Sequence, residues 1–256
     1  MKIRILNFDI VSDFDIRISD LKYFMAKILS IAHRGASGYA PENTLKAIQK
    51  AVKLGADMIE IDVRRTRDRH MVCFHDYLMH RLTNGHGRLR NYTYQELKRF
   101  TICGEVIPTL PEILKEIKGS CQVNIEVKER GLTKDLARLV REMELTRDVL
   151  FSSFYHLELA KLKALDSRLR VALLFSQLPS VSVAMKIGKE IQAEALNLPM
   201  KRITQRYLRQ MIDEAKRRDM KINVWTANSQ EDIQWLKETG VHGIITDFPD
   251  RIKSIS

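Results

Sequence analysis

Cysteine is scarce in this chain, and long apolar runs are missing. Its 256 residues include three cysteines, Cys73, Cys103 and Cys121, an odd number without regular spacing that argues against a disulfide framework. A reducing, cytoplasmic setting fits this usage best. No apolar run reaches the roughly 18 residues of a transmembrane helix, so we expect no stable membrane insertion. The opening segment "MKIRILNFDIVSDFDIRISDLKYFMAK" carries Asp and Arg throughout, unlike a signal peptide.

Acidic residues are outnumbered by basic ones. The chain has 43 Lys and Arg against 32 Asp and Glu, a formal net charge of +11. Such a surplus favours an anionic partner: nucleic acid, a membrane surface or a phosphorylated metabolite. The basic residues come in short groups, and no zinc-finger, RNP-type or GXXG module appears, so we expect no nucleic acid, while the charge alone does not choose between the other two partners. Nothing in the composition determines an oligomeric state.

Apolar runs rich in β-branched residues alternate with helical patterns along most of the chain. Strict β/α alternation indicates a parallel sheet, and eight units of this length are typical of a closed (β/α)₈ TIM barrel. An open doubly wound sheet is the alternative, but no glycine-rich dinucleotide loop follows the first strand. The predicted strands are 27–33, 58–64, 122–128, 149–154, 169–175, 195–198, 221–227 and 243–247.

Two segments depart from this alternation. Residues 65–110 separate the second and third strands, and we predict a small insertion over the barrel mouth at about 76–108, with a hairpin-type turn at Asn84-Gly85. Residues 1–24 form an N-terminal extension, and the predicted domain covers 25–256. No Pro-rich or low-complexity linker divides it, so we expect one domain.

Carboxylates interrupt two of the predicted strands near their ends. In "MIEIDVR", Glu60 and Asp62 share one face, with Cα atoms about 7 Å apart. In "QVNIEVKE", Glu126 shares its face with Asn124 and Lys128. Sites in such barrels lie at the C-terminal rim, where Glu60, Asp62 and Glu126 should converge. Three carboxylates need a counter-charge, and oxygen ligands favour a divalent cation, Mg²⁺ or Ca²⁺. A purely structural set of salt bridges is the alternative.

Two histidines accompany these carboxylates. His33 ends the first strand, and His75 follows the short extended stretch after the second. Imidazoles titrate near neutral pH and suit acid and base catalysis, while Arg34 and Lys128 offer fixed positive charge for phosphate oxygens. Five other histidines lack such neighbours and receive no chemical role: His70, His80, His86, His156 and His242.

The motif series resembles that of the glycerophosphodiester phosphodiesterase family. The matching stretches, in order, are "AHRGASGYAPENT", "GADMIEIDVRRTRD", "FHD", "LTNGHG", "IPTLPEIL", "NIEVK", "VWTAN" and "GIITDFPD". The resemblance runs from about residue 27 to the end. It implies a (β/α)₈ barrel with an insertion after the second strand, and metal-dependent hydrolysis of glycerophosphodiesters to glycerol 3-phosphate and an alcohol.

The resemblance also implies residue roles. His33 and His75 match the catalytic pair, and Arg34 and Lys128 match phosphate-binding positions. Glu60, Asp62 and Glu126 match the metal carboxylates. Trp225 matches an aromatic wall of the substrate pocket, with simple packing as the alternative.

Two further positions and two further functions remain to be weighed. Asn43 could contact the substrate or cap the following helix, and Asp247 is interpreted as a turn residue. A lysophospholipase D would need an apolar groove at the mouth, for which we find no clear candidate. A catalytically silent barrel that binds phosphorylated ligands conflicts with the complete set of histidines and carboxylates.

The expected chemistry is in-line attack at phosphorus, with one histidine as base and the other as acid. We prefer His33 as base and His75 as acid. The nucleophile is either water or the 2-hydroxyl of the substrate's own glycerol.

Overall fold

Eight parallel strands close into a barrel in the computed structural model, which describes residues 27–253. The barrel strands are β1 (Leu29–Ala32), β2 (Met58–Arg65), β6 (Gln122–Val127), β7 (Val149–Ser153), β8 (Arg170–Leu174), β9 (Ala195–Pro199), β10 (Lys221–Trp225) and β11 (Gly243–Thr246). Each pairs with the next in this order, and β11 pairs with β1. Closure of the ring confirms the predicted (β/α)₈ barrel and rules out the open sheet.

Helices follow the strands and cover the outside of the barrel. They are α1 (Leu45–Lys53), α2 (Tyr94–Leu97), α3 (Leu110–Ile117), α4 (Thr133–Glu142), α5 (His156–Leu165), α6 (Val181–Ile191), α7 (Gln205–Lys216) and α8 (Gln230–Thr239), with 3₁₀ turns at Leu89–Asn91 and Pro249–Ile252. Thr93 and Thr109 each form a capping box, with Glu96 and Glu112 respectively. Both helix starts are therefore fixed by local sequence.

Strand alternation divides apolar from polar side chains on β2. Ile59, Ile61 and Val63 face outward and are fully buried against the helices, where each contributes about 1.5–3 kcal/mol. Glu60 and Asp62 face the barrel interior. The interior is apolar below, around residues such as Met58, and becomes polar towards the C-terminal strand ends. This polar upper layer is where the site forms.

The connection from β2 to β6 forms a small layer of its own. It contains β3 (Met71–Cys73), antiparallel to β2, and a two-stranded ribbon of β4 (Thr101–Ile102) and β5 (Glu105–Val106). A separate apolar cluster lies beneath it, formed by Val72, Phe74, Met79, Leu89, Leu97, Ile102 and Ile107. The predicted excursion is therefore a packed substructure rather than a bare loop.

The hairpin-type turn predicted at Asn84-Gly85 is wrong. Neither residue has the positive φ that a type I′ turn requires. Instead, the Thr83 amide donates to the Met79 carbonyl, and the Thr83 hydroxyl accepts from the Gly85 amide at 2.9 Å. These local bonds curl the chain inside a wider loop, which an antiparallel bridge between Leu78 and Arg88 closes. Residues 1–24 lie outside the described part, so the predicted boundary at Met25 stays a prediction.

Candidate active site

A cavity opens at the C-terminal ends of the barrel strands. Its volume is about 100 Å³, and six of its lining residues are polar or charged groups predicted or implied above to form the site: His33, Arg34, Glu60, His75, Glu126 and Lys128. The remaining lining residues are Asn124, Ser152, Phe154, Leu174, Trp225 and Ile245. Side chains from β1, β2, β6, β7, β8, β10 and β11, or just after them, thus meet at one mouth. This is the face on which TIM barrels build their sites.

Three carboxylates converge beside this cavity, as the strand alternation predicted. Glu60 and Asp62 project inward from β2, and the register places Asp62 directly beside Glu126 of β6. Each of the three offers an oxygen within 4.8 Å of the others. Glu60 and Asp62 are buried, and the Glu126 side chain is 12% exposed.

The carboxylates share the positive charge of two side chains. Lys128 Nζ lies 2.7 Å from Glu126 Oε1 and 3.4 Å from Asp62 Oδ1, and Arg34 Nε lies 3.3 Å from Asp62 Oδ2. Burial raises the pKa of Asp62, but Lys128 and Arg34 outweigh it and hold that pKa well below its usual range. Two cations against three carboxylates leave one negative charge in excess.

The excess negative charge raises the pKa of the other two carboxyl groups. Burial, reinforced by neighbouring carboxylates, raises the pKa of Glu60 well above its ordinary value. The same two causes raise the pKa of Glu126 to about 7. Carboxylates buried together in this way call for a further cation.

The donor set fits a divalent cation. Asp62 Oδ1 and Glu126 Oε1 are buried and accept no hydrogen bond of acceptable geometry, despite the nearby ammonium of Lys128. Buried oxygens without a donor are costly unless something else coordinates them. An all-oxygen trio suits Mg²⁺ or Ca²⁺ rather than a softer metal. The purely structural explanation, a closed set of salt bridges, leaves the charges unbalanced, because Arg34 and Lys128 face three carboxylates.

The turn after β1 fixes Arg34. Its backbone amide donates to Glu60 Oε2 at 2.8 Å, and its guanidinium donates to Glu42 Oε1 at 2.7 Å. The next residue, Gly35, has φ +81°, and a Cβ there would lie 2.7 Å from the Ala47 backbone. Only glycine lets this turn pack against α1, which explains the Arg-Gly pair at the strand end.

Asn43 lies behind Asp62 and outside the cavity lining. Its amide nitrogen donates to Asp62 Oδ2 at 2.9 Å, and its amide oxygen accepts from the Asp62 backbone amide at 3.0 Å. The side chain is fully buried. The helix-cap interpretation is wrong, because Thr44 caps α1 by accepting from the Ala47 amide. Asn43 instead orients a carboxylate of the trio.

Each cavity histidine is held by an aspartate. His33 Nδ1 lies 2.7 Å from Asp247 Oδ1, and His75 Nδ1 lies 2.6 Å from Asp76 Oδ1. An ionised carboxylate accepts a hydrogen bond from the Nδ1–H group. In each neutral ring Nε2 then carries no proton and is free to accept one. Burial lowers the pKa of His75 and favours its neutral ring.

The interpretation of Asp247 as a turn residue misses this contact. Asp247 also accepts from Ser37 Oγ at 2.8 Å and from Asn228 Nδ2 at 2.6 Å. Burial would raise its pKa, but the His33, Ser37 and Asn228 contacts hold it at about 2. The sequence signal was an acid directly after β11, the position where β1 also carries its histidine.

His75 is supported by a longer chain of ion pairs that sequence reasoning also missed. Asp76 pairs with Arg81, and Arg81 Nη2 donates to Glu42 Oε1 at 2.8 Å. Burial opposes ionisation of Asp76, yet Arg81 and His75 hold its pKa at about 2. Glu42 also accepts a hydrogen bond from Arg34. This chain of ion pairs therefore connects His75 with Arg34.

Trp225 forms part of the cavity wall. Its indole Nε1 donates to the Asn197 carbonyl at 3.2 Å, and its ring meets that of Phe154 edge to face at 5.8 Å. The wall and packing interpretations thus both describe this side chain. The five histidines without an assigned role, His70, His80, His86, His156 and His242, are absent from the cavity lining.

The site at the mouth of this (β/α)₈ barrel, with paired histidines, a carboxylate trio and the cations Arg34 and Lys128, is that of a phosphoric diester hydrolase. The model of the glycerophosphoryl diester phosphodiesterase family matches residues 33–251. The chain therefore belongs to this family.

Named relatives agree with the family model. A glycerophosphodiester phosphodiesterase of Caldanaerobacter subterraneus subsp. tengcongensis is 33% identical over 240 residues, covering 88% of this chain and 96% of the relative. One from Bacillus altitudinis is 32% identical over 246 residues, covering 90% and 98%. The structure of an Oleispira antarctica phosphodiesterase in complex with the product sn-glycerol-3-phosphate has a TM-score of 0.77 at 29% identity, covering 91% of this chain and 97% of that one.

Proposed function

We propose that this site hydrolyses glycerophosphodiesters to glycerol 3-phosphate and an alcohol with the help of a bound divalent cation. The observation that carries the proposal is the single cavity in which a carboxylate trio, two aspartate-held histidines and two cations meet. Family membership supports the same reaction. So does the product bound in the Oleispira structure.

Glu60, Asp62 and Glu126 would hold the cation, Mg²⁺ or Ca²⁺. When bound, it supplies positive charge that polarises phosphoryl oxygens and offsets charge developing in the transition state. Asn43 keeps Asp62 aligned from behind. Arg34 and Lys128, both pointing at the same carboxylates, provide fixed positive charge for the non-bridging phosphate oxygens.

The two histidines carry the protons. His33 Nε2 takes the proton of the attacking hydroxyl, whose oxygen forms the new bond to phosphorus. The bond from phosphorus to the alcohol oxygen breaks, and His75, which enters the reaction as imidazolium, gives its Nε2 proton to that oxygen. Asp247 and Asp76 stabilise the imidazolium form of each ring. The attacking hydroxyl belongs either to water or to the substrate's own glycerol. If it belongs to the glycerol, a cyclic phosphate forms first and water then opens it.

Trp225 and Phe154 form an apolar wall beside this reaction centre. We assign Trp225 to the carbon face of the glycerol moiety. A lysophospholipase D is the less favoured function, because the exposed rim aromatics Tyr77 and Tyr155 each lie under a guanidinium and so present charge rather than an apolar groove.

We propose a cytoplasmic location, and the state of the cysteines supports it. Cys73, Cys103 and Cys121 are all free, as in a reducing compartment. Across the described residues, none of the helices combines the length and apolar character needed to cross a bilayer.

The test is release of glycerol 3-phosphate by the purified protein from glycerophosphocholine and glycerophosphoethanolamine. We expect EDTA to abolish release and Mg²⁺ or Ca²⁺ to restore it. Glu126→Gln should reproduce the effect of EDTA, since it removes one anionic ligand. Glu116→Gln, on the outer helix α3, is the matched control. Full turnover in metal-free buffer would refute the metal assignment.

A further inference from the structure

A second, larger cleft opens beside the catalytic cavity. Its volume is about 780 Å³, against about 100 Å³ for the cavity itself. Its walls come from the segments that follow β2, β6 and β7, and Glu129 is its one acidic lining residue. The cationic lining residues are Lys128, Arg64 and five further arginines, namely Arg65, Arg67, Arg69, Arg90 and Arg130.

The cleft shares one lining residue with the catalytic cavity. Lys128 lines both. Arg64, from the cleft wall, donates through Nε and Nη2 to the His75 carbonyl at 2.9 and 2.7 Å. The cleft thus adjoins the His75 side of the site, whereas His33 is held on the β11 side by Asp247.

Much of the cleft's positive charge is uncompensated. Arg64, Arg67 and Arg69 pair with Glu129, Glu96 and Asp135 respectively. Within residues 27–253, Arg65, Arg90 and Arg130 form no ion pair with a carboxylate. Like charges gathered in one cleft repel one another, and an anion bound among them would relieve that repulsion.

The shape of the cleft wall suits a phosphate. The Arg130 guanidinium and the Tyr155 ring both line the cleft, and the guanidinium lies 5.2 Å from the centre of that ring. Stacking on a ring orders a guanidinium without consuming its hydrogen-bond donors. Ordered guanidinium groups can then bind phosphate oxygens in pairs.

We infer that the preferred substrates are glycerophosphodiesters whose departing alcohol carries a second phosphate, and that this cleft binds that phosphate. The inference rests on the proposed function, in which His75 protonates the departing alcohol. In an in-line reaction that alcohol leaves on the His75 side, which is where the cleft begins. The glycerol half then remains on the side of His33 and Trp225.

The experiment compares two substrates that differ by one phosphate, glycerophosphoinositol and glycerophosphoinositol 4-phosphate. We expect kcat/KM of the native enzyme to be about tenfold or more higher for the phosphorylated substrate, because charge-assisted contacts to the second phosphate strengthen its binding. The triple variant Arg65→Gln, Arg90→Gln, Arg130→Gln should reduce this preference to about threefold or less. A triple variant with the same loss of charge on the helices α6 and α7, Lys186→Gln, Arg206→Gln, Arg209→Gln, should keep the preference.

The outcomes separate the inference from the function beneath it. Release of glycerol 3-phosphate from neither substrate contradicts the proposed function. Release from both with no preference in the native enzyme, or the same preference in both triple variants, overturns the cleft assignment alone. Loss of binding to phosphatidylglycerol vesicles or single-stranded RNA by the cleft variant, without any change in preference, also overturns it and assigns the cleft to a macromolecule.

Discussion

Single residues divide the site into groups that react and groups that hold them. His33 and His75 line the cavity, while Asp247 and Asp76 lie behind them and accept from Nδ1. The two pairs have the same local geometry but different surroundings. Asp247 is fixed by Ser37 and Asn228, whereas Asp76 is fixed by Arg81. This symmetry fits a reaction that needs one base and one acid.

The roles of the two histidines can be separated by the leaving group. With glycerophosphocholine, His33→Ala and His75→Ala should each lower kcat by about 10²–10⁴-fold. With the p-nitrophenyl ester of glycerol 3-phosphate, the departing phenolate needs no proton. The kcat of His75→Ala should then recover to within about tenfold of the native value, because the acid is no longer needed. The kcat of His33→Ala should stay low, because the base is still needed. Recovery of His33→Ala instead would reverse the assignment.

Asp247 should matter for turnover more than for binding. We expect Asp247→Asn to lower kcat by about 10²-fold or more, because an amide no longer holds the His33 tautomer or stabilises its charged form. KM should change little, since Asp247 is absent from the cavity lining. Steady-state kinetics with a thermal melt will test this, with Asp213→Asn on the outer helix α7 as the control. An unchanged kcat with a lowered melting temperature would make Asp247 merely structural.

Sequence reasoning reached the residues that break a local pattern. Glu60, Asp62 and Glu126 stood out because charge interrupted apolar strands, and the structure brings them together. Asp247 was missed because its partner His33 is 214 positions away, and only the closure of the ring between β1 and β11 makes them neighbours. Asn43 was misjudged because it precedes a helix, and Thr44 competes for the same cap.

Among the elements, the turn from β1 to α1 does most to shape the site. It carries His33 and Arg34 and then passes close to α1. The eight barrel strands were predictable because each is a run of apolar, β-branched residues, and helical patterns alternate with these runs. The turn at Asn84-Gly85 was not, because a threonine hydroxyl and a helical curl outweighed the local preference of that dipeptide.

Substitution of Gly35 tests the close approach of this turn. Gly35 and Gly119 share nearly the same backbone, with φ of +81° and +82°, but a Cβ at Gly119 would meet nothing within 4 Å. Gly119→Ala should therefore lower the free energy of unfolding by about 1 kcal/mol, the cost of the backbone alone. Gly35→Ala should cost about 2–4 kcal/mol, since the Ala47 backbone must also move. Denaturant unfolding of the two variants gives both values, and equal losses would contradict the packing argument.

The two ends of the whole barrel do different work. The C-terminal end holds the carboxylate trio, the aspartate-held histidines and the basic cleft, so charged groups gather there around open space. The N-terminal end holds complete ion pairs. There the Glu194 carboxylate accepts hydrogen bonds from Arg170 at 2.7 and 2.8 Å and from Lys221 at 2.8 Å. These bonds link the starts of β8, β9 and β10.

Stability below neutral pH should therefore depend on Glu194. Its hydrogen bonds to Arg170, with further help from Lys221, lower its pKa to about 2 in the folded chain. A carboxylate with a depressed pKa stabilises the fold fully above its unfolded value of about 4.3, and that contribution disappears as the pH falls towards 2. At pH 7, Glu194→Gln should lower the free energy of unfolding by about 1–3 kcal/mol, allowing for solvent screening of this partly exposed group. Because the native protein loses the same contribution in acid, the difference should shrink between pH 5 and pH 2, as judged by urea unfolding at a series of pH values.

Glu144→Gln, at a side chain 86% exposed and 3.8 Å from Lys118, should change stability little at any pH. A Glu194→Gln deficit that stays constant down to pH 2 would show that packing, rather than charge, stabilises this end of the barrel.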